Sequence, residues 1–186
     1  AVLEGWRRQG VEVMPFSPLA DEAPDSTADS IYLPGGYPEL HAATLAGSST
    51  FMTGLRGAAA RGAFVYGECG GYMVLGQALI DRGKTSYPMA GLLPVVTSFA
   101  EPKLHLGYRQ IELLSPCQLG RLGANYRGHE FHYAREVERS GSPLFRTRCA
   151  RGQDLGEQGC RSGQVVGSFL HLIDRAAGPP PVPRSA

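Results

Sequence analysis

The most constraining feature of this sequence is a short apolar run that leads directly into a cysteine flanked by glycines. Residues 63–66, Ala-Phe-Val-Tyr, have the length and character of a buried strand, and residues 67–71, Gly-Glu-Cys-Gly-Gly, follow at once. Apolar positions within residues 75–80 then recur at helical spacing. The pattern predicts a strand, a sharp turn centred on Cys69 and a helix, which is the setting of a nucleophile elbow.

A second apolar run also ends in a glycine turn. Residues 31–33, Ile-Tyr-Leu, are stopped by residues 34–36, Pro-Gly-Gly, and helices are predicted near 38–46 and 49–61. Short apolar strands that alternate with helices are typical of a parallel sheet. We therefore predict an α/β fold of the flavodoxin-like, doubly wound type, with a mostly parallel sheet and helices on both faces.

Beyond Gly83 the pattern changes to strands with little helix between them. Predicted strands lie near residues 92–99, 108–114, 130–137 and 144–148. We interpret them as an antiparallel extension of the fold. Residues 164–169 are predicted to return to the main sheet, which places His171 just beyond a strand end.

The two ends of the sequence suggest where this domain begins and ends. Helical spacing precedes Gly10, and residues 11–16 are predicted as a short strand. Because the chain opens inside a helix, we expect a fragment of a longer polypeptide whose first strand is missing. Residues 1–175 are assigned to one domain, and residues 176–186, which are rich in proline, to a disordered tail.

Composition excludes several classes of protein. A formal charge of +1 gives no electrostatic reason to expect nucleic acid or a membrane surface as a partner. The cysteines show no close pairing, so neither a metal site nor a redox dithiol is expected. No apolar run has the ~20 residues that span a bilayer. We expect a cytoplasmic protein with reduced thiols.

Cys69 is the predicted nucleophile. Its glycine neighbours permit a strained turn, and the free N–H groups at a helix start are expected to lower the pKa of the thiol. A free cysteine is more often a buried packing residue, and we keep that interpretation for Cys117, Cys149 and Cys160. At Cys69 the strand-to-helix setting favours catalysis.

A cysteine nucleophile usually needs a base, and His171 is the best placed histidine because it follows a predicted strand. Strand alternation sends Glu130 and His132 to one face and His129 to the other. Either histidine of that segment could touch a substrate or serve the structure. His41 and His105 are predicted to be surface residues.

An oxyanion formed at Cys69 would need hydrogen-bond donors. The backbone N–H groups of Gly36 or Tyr37 and of Gly70 form the natural pair, and the turn after Leu33 would then face the elbow at a matching strand end. An isolated Pro-Gly-Gly is more often an ordinary turn. Its position opposite the elbow favours the functional interpretation.

Taken together, these segments resemble a known family. They are residues 33–40 (LPGGYPEL), 67–73 (GECGGYM), 128–133 (GHEFHY) and 167–172 (GSFLHL), with residues 16–21 (FSPLAD) as further support. Their order and spacing resemble the class I glutamine amidotransferase domain of cobyrinic (or hydrogenobyrinic) acid a,c-diamide synthases. The cobyric acid synthase family is closely similar and remains an alternative.

The resemblance implies a glutaminase domain that supplies ammonia for the amidation of corrin a and c carboxylates in cobalamin biosynthesis. An N-terminal synthetase domain of the same polypeptide would bind ATP, Mg²⁺ and the corrin, while this domain would bind glutamine without a cofactor or metal. Cys69 would form a glutamyl thioester, and His171 would shuttle the proton. The remaining predicted site residues are Gly36 and Gly70 in the oxyanion hole, and Tyr37, Gly71, His129 and His132 as substrate contacts.

The sequence departs from the broader class I pattern at Ile173, where a glutamate usually orients the histidine. A Cys-His dyad is therefore expected, with Asp174 or Glu68 as remote candidates for a supporting carboxylate. Without that carboxylate, we expect slow hydrolysis by the isolated domain. Two alternatives stay open: a catalytically silent binding module, and a cysteine-dependent hydrolase that does not use glutamine.

Overall fold

The computed structural model describes the backbone of residues 2–176. The helices are α1 (Val2–Arg8), α2 (Ala42–Gly47), α3 (Ser49–Ala60) and α4 (Gly70–Leu75), with 3-10 turns at Pro18–Ala20 and Pro38–Leu40. The strands are β1 (Ser30–Leu33), β2 (Phe64–Glu68), β3 (Ala78–Ile80), β4 (Ser86–Pro88), β5 (Val95–Ser98), β6 (His105–Leu113), β7 (Asn125–His132), β8 (Arg135–Arg139), β9 (Phe145–Cys149), β10 (Asp154–Gln158), β11 (Cys160–Ser162), β12 (Val165–Ser168) and β13 (Leu170–Arg175). The predicted tail lies, from residue 177 on, outside the described residues.

The predicted parallel sheet is present and has β2 at its centre. Its strand order is β1-β2-β12-β11, with β1 and β12 parallel to β2 and β11 antiparallel at one edge. Gly67 of β2 pairs with Leu33 on one side and with Gly167 on the other. The carboxyl ends of the parallel strands therefore meet at one edge, where catalytic groups from different strands come together.

The two faces of this sheet are covered differently. Val65 of β2 is fully buried in a cluster built with α3 and α4, whereas its neighbour Tyr66 points into a cluster with Ile111 of β6. Helix α1 reaches this second face through an edge contact of Trp6 on Tyr32, with ring centroids 5.6 Å apart. Helices thus contact both faces, and the second is covered chiefly by strands.

The predicted antiparallel extension is a separate five-stranded sheet of order β10-β9-β6-β7-β13. Only Phe169 separates β12 of the parallel sheet from β13 of this antiparallel sheet. A smaller sheet, of order β4-β3-β5-β8, packs beside α4. The α/β class and the combination of parallel and antiparallel strands are confirmed.

Three local predictions were wrong. Residues 130–137, predicted as one strand, contain the end of β7 at His132 and the start of β8 at Arg135. The helix after Cys69 ends at Leu75, and Ala78–Ile80 forms β3, because Gly76 turns to an extended backbone with ψ 177° and packs closely on the carbonyl of Val95. Residues 11–16 form no strand, and no described strand pairs with the free edge of β1. Pro15 has no backbone N–H to donate to such a pairing. Among residues 2–176, no helix has both the length and the apolar character needed to cross a membrane.

Candidate active site

Cys69 lies at the junction of β2 and α4, as predicted. Its backbone has φ 47° and ψ −102°, and its N–H donates to the carbonyl of Ser168 at 2.8 Å. Such a φ strains a residue that carries a side chain by about 1–3 kcal/mol. Glycines close the turn around it, because a Cβ on Gly67 would stand 2.7 Å from the carbonyl carbon of Gly71. This packing holds the cysteine in its strained conformation.

The Pro-Gly-Gly turn after β1 packs against the start of α4. Gly71 donates its N–H to the carbonyl of Pro34 at 3.1 Å, and a Cβ on Gly70 would lie 2.7 Å from the nitrogen of Gly36. The N–H of Gly70 begins α4 and has no intrahelical acceptor. Within residues 2–176 the Gly36 N–H also donates to no protein acceptor. Neither amide donates to a backbone carbonyl of the described chain, so both are available to the oxygen of a substrate bound at Cys69, as an oxyanion hole requires.

His171 faces Cys69 across Gly35. The position that a Cβ on Gly35 would occupy lies 3.6 Å from Cys69 Cβ, 2.6 Å from His171 Cε1 and 3.5 Å from His171 Nε2. Any side chain at position 35 would therefore fill the space between the two residues. The Nε2 and Cε1 edge of the imidazole is turned toward this space, so Nε2 is the ring nitrogen on the side of Cys69. The thiol itself contacts the carbonyl of Phe131, with Sγ 3.9 Å from that oxygen.

The thiol is not activated in the way the sequence predicted. Burial raises the pKa of Cys69 to about 11, an effect that the Gly70 N–H opposes and the charges of Glu39 and Glu68 reinforce. Burial also lowers the pKa of His171, and His129 and His132 lower it further. The expected low thiol pKa was therefore wrong. The resting pair is a neutral thiol beside a neutral imidazole, which suits proton transfer during attack.

The other ring nitrogen of His171 faces an acidic residue that the sequence placed only among remote candidates. His171 Nδ1 lies 3.9 Å from Oε2 of Glu68, the residue that immediately precedes Cys69. The other remote candidate, Asp174, is solvent-exposed. Strand alternation along β2 could have indicated that Glu68 and Tyr66 share the face that meets the antiparallel sheet.

The two histidines of β7 lie on opposite faces, as predicted. His129 is paired across the strands with His171, and their rings stack with centroids 4.7 Å apart. His132 is buried, stacks on Phe169 at 3.9 Å and places Nδ1 2.9 Å from the carbonyl of Ala134. His129 thus borders His171, the predicted base, directly, while His132 is fixed within the protein interior.

The predicted surface position of His105 was wrong, whereas His41 is exposed. His105 is half-buried and its ring stacks on His132, with centroids 4.7 Å apart and planes 1° from parallel. Together with Glu130, these histidines place potential metal-ligand atoms within 4.8 Å of one another. However, Arg109 Nε already donates to Glu130 at 2.6 Å, and one ion cannot lie in the planes of two stacked parallel rings. This cluster fits a salt-bridge network better than chelation.

Two predicted substrate contacts have different surroundings. Tyr37 is 67% exposed beside the turn that carries Gly36, where it is free to meet a ligand. Gly71 donates its N–H to the carbonyl of Pro34, and a Cβ at this position would stand 2.6 Å from the Cβ of Leu33. Close packing is therefore sufficient to explain why this residue is a glycine. The substrate contacts of Tyr37, Gly71, His129 and His132 stay predictions.

An elbow cysteine, a glycine turn and a histidine at neighbouring strand ends place the chain in the glutamine amidotransferase class of folds. A solved glutamine amidotransferase superimposes with a TM-score of 0.59 at 17% identity, covering 90% of this chain and 82% of that one. A glutamine amidotransferase from Thermotoga maritima gives 0.59 at 15% identity, covering 91% of this chain and 68% of that one. At these identities the likeness concerns the fold alone.

The chain belongs to the CobB/CobQ-like glutamine amidotransferase domain family, whose model matches residues 3–177. It is 60% identical over 176 residues to hydrogenobyrinate a,c-diamide synthase of Brucella abortus, which covers 93% of this chain. It is 52% identical over 172 residues to the protein of that name from Rhodobacter capsulatus, which covers 92%. The chain spans 39% of the length of both relatives. The family recognised from the sequence is confirmed.

Proposed function

We propose that this domain hydrolyses glutamine through Cys69 and His171. The thiol sulfur attacks the side-chain amide carbon, and its proton passes to His171 Nε2 and then to the departing ammonia. Water, deprotonated by the same imidazole, cleaves the glutamyl thioester, which releases glutamate and restores the thiol. The N–H groups of Gly36 and Gly70 stabilise the oxyanion of each tetrahedral intermediate.

The observation that carries this proposal is the position of the nucleophile. Cys69 is held at positive φ by surrounding glycines, beside the backbone amides of Gly36 and Gly70 and across Gly35 from the imidazole of His171. A cysteine that served only packing would need none of these features. The arrangement thus favours a catalytic domain over a silent binding module.

The ammonia is destined, in our proposal, for ATP-dependent amidation of the a and c carboxylates of a corrin in cobalamin biosynthesis. Support comes from the relatives named hydrogenobyrinate a,c-diamide synthase, of whose length the chain spans 39%. A synthetase domain elsewhere in the same polypeptide would bind the corrin, ATP and Mg²⁺. The cobyric acid synthase alternative has less support, because the relatives at 52–60% identity carry the diamide synthase name.

We place this chemistry in the cytoplasm. The described cysteines, at positions 69, 117, 149 and 160, are all free thiols. Free thiols are typical of a reducing compartment. A disulfide in protein isolated under non-reducing conditions would argue against this assignment.

Substitution of the nucleophile tests the division of labour in the full-length enzyme. Cys69→Ser is expected to lower glutamine-dependent amidation by at least about 10³-fold, because a serine hydroxyl is a weaker nucleophile beside this base. Amidation driven by free ammonium should stay close to that of the unsubstituted enzyme. Loss of both activities would contradict the proposal.

A glutamine analogue with an electrophilic diazoketone distinguishes the proposed glutaminase from its alternatives. Peptide mapping should place the label on Cys69, and Cys117→Ser, which removes a half-buried thiol, should be labelled like the parent enzyme. No labelling, or labelling elsewhere, would favour the silent module. Labelling without release of glutamate from glutamine would favour a hydrolase with another substrate.

A further inference from the structure

The carboxylate of Glu68 is buried directly behind the catalytic histidine. Its Oε1 accepts a hydrogen bond from the hydroxyl of Tyr32 at 2.9 Å. Its Oε2 lies 3.9 Å from His171 Nδ1 and, among the described residues, has no hydrogen-bond partner. A buried carboxylate oxygen without a partner is costly. A cost of this kind beside a catalytic group is typical of a residue kept for function.

The orientation of the imidazole connects Glu68 to the nucleophile. The Nε2 and Cε1 edge of His171 faces Gly35 and Cys69, so Nδ1 points away from the thiol and toward Glu68. A proton on Nδ1, directed at a carboxylate, leaves the lone pair of Nε2 free to accept the proton of the thiol. A carboxylate behind the base fixes the tautomer that catalysis requires.

The charge of the pair changes during the reaction. In the resting enzyme His171 is neutral, so its contact with Glu68 is not an ion pair, and a separation of 3.9 Å is longer than a hydrogen bond. When Nε2 takes the thiol proton, the ring becomes an imidazolium beside a desolvated carboxylate. The attraction between them then strengthens, and catalytic hydrogen bonds that are long in a free enzyme tighten as charge develops.

We propose that Glu68 is a positioning residue that orients His171 and stabilises its protonated form during glutamine hydrolysis. The role rests on the proposed glutaminase function and replaces the unsupported dyad expected from the sequence. Glu68 takes no proton itself, and Tyr32 holds it in place through Oε1. The supporting carboxylate would then come from the residue before the nucleophile, whereas the broader class I pattern has it after the histidine.

The test compares pH profiles of the full-length enzyme with those of Glu68→Gln. The titratable groups that face the Glu68–His171 pair are Tyr32 on β1, Tyr66 on β2, Cys69 at the elbow, and His129 and His132 on β7. Glu39, in the second 3-10 turn, faces Cys69. Glu68 helps to raise the pKa of Tyr32, Tyr66 and Cys69, so its removal also affects the alkaline side of the profile. The acid limb is therefore the part of the profile that reports the effect on His171.

Glu68→Gln is expected to lower the glutamine-dependent kcat on the order of 10²-fold, with little change in KM and unchanged ammonium-dependent activity. The acid limb of kcat/KM should move to lower pH, because removal of a nearby carboxylate makes His171 harder to protonate. Glu68→Asp keeps the negative charge, so its limb should stay where the parent enzyme has it even if kcat falls. This second variant also guards against poor folding of the first.

Glu136→Gln is the matched control. Glu136 also accepts a hydrogen bond from a tyrosine hydroxyl, that of Tyr72 at 2.8 Å, but it lies in β8. The substitution Glu136→Gln should therefore leave the acid limb of the kcat/KM profile where the parent enzyme has it.

The outcomes separate this inference from the proposed function. An unsubstituted enzyme that fails to release glutamate overturns the glutaminase itself. Glutamine hydrolysis that survives in Glu68→Gln within about twofold, with an unmoved acid limb, overturns the positioning role alone. Equal loss of glutamine-dependent and ammonium-dependent activity would assign Glu68 a structural role and also overturn the inference.

Discussion

Two histidine–carboxylate pairs lie close together in this domain and are built differently. In the pair of Glu130 and His132 the carboxylate is 3.3 Å from the ring and also accepts a hydrogen bond from Arg109 at 2.6 Å. In the pair of Glu68 and His171 the separation is 3.9 Å. Within residues 2–176 no arginine or lysine lies within ion-pair distance of Glu68. The negative charge of Glu130 is thus balanced by a cation, whereas within these residues that of Glu68 is not.

The difference appears in the protonation of the two acids. Burial would raise the pKa of Glu130, but the hydrogen bond from His132 and the charge of Arg109 outweigh it and lower that pKa. Burial raises the pKa of Glu68, and the hydrogen bond from Tyr32 and the nearby backbone of Leu172 offset this only in part. The charge of Glu130 is already balanced by its partners, and such a network stabilises the fold. The charge of Glu68 has no cationic partner in the described chain, so it can attract a positive charge that forms on His171 in the proposed reaction.

The largest expected effect distinguishes the two histidines. His171→Asn should lower glutamine-dependent kcat by about 10³-fold and leave thermal stability nearly unchanged, because it removes the base from a half-buried position. His132→Asn should instead lower the free energy of unfolding by about 2 kcal/mol, since the buried ring bonds Ala134 and stacks on Phe169. Steady-state kinetics and denaturant unfolding measure both. Equal kinetic losses in two stable variants would erase the proposed distinction.

The two carboxylates should affect stability at neutral pH in opposite directions. Glu130→Gln is expected to cost about 3 kcal/mol of unfolding free energy, because it leaves the partly buried guanidinium of Arg109 uncompensated. Glu68→Gln should be as stable as the parent or more so, since it removes a desolvated charge. Urea unfolding at pH 7 measures both changes. Destabilisation of similar size by both substitutions would contradict the comparison.

The pH dependence of these stability effects follows from the pKa shifts. Because the pKa of Glu130 is lowered by folding, its stabilising contribution is complete above its unfolded pKa of about 4.3 and is lost as pH falls through the folded value. The pKa of Glu68 is raised by folding, so its favourable contribution is present below the unfolded pKa and is lost as pH rises through the folded one. The stability advantage of Glu68→Gln should therefore diminish as the pH is lowered.

The smallest expected effect concerns Asp174, which lies three residues after His171, the proposed base. Its side chain is exposed on β13, so Asp174→Asn should change glutamine-dependent kcat less than about twofold and stability by less than about 0.5 kcal/mol. Measured beside Glu68→Gln, it provides a charge-matched control. A kinetic loss larger than that of Glu68→Gln would move the supporting role to Asp174.

The sequence predicted those parts of the site that depend on local pattern. An apolar run, flanking glycines and the order of motifs were sufficient to predict the elbow at Cys69, the turn at Gly36 and the position of His171 just after the strand that returns to the main sheet. The pKa of the thiol was predicted wrongly, because burial outweighs the helix-start amide and depends on the whole fold. The contact between Glu68 and His171 joins two sheets, and no local pattern encodes it. The early end of α4 escaped prediction because a single glycine, Gly76, is compatible with both helix and turn.

Only Phe169 separates β12 from β13, so activity depends on the correct pairing of β12 in the parallel sheet. The carbonyl of Ser168 accepts a hydrogen bond from the Cys69 N–H, and His171 follows three residues later in the same segment. The alignment of this segment is fixed where Val165 pairs with Val65. A slip of one residue there would reverse the side chains of β12 and withdraw the acceptor and the base together. A misaligned chain would thus be inactive rather than partly active. The glutaminase activity of a sample would therefore measure the fraction of molecules in which this long-range pairing is correct.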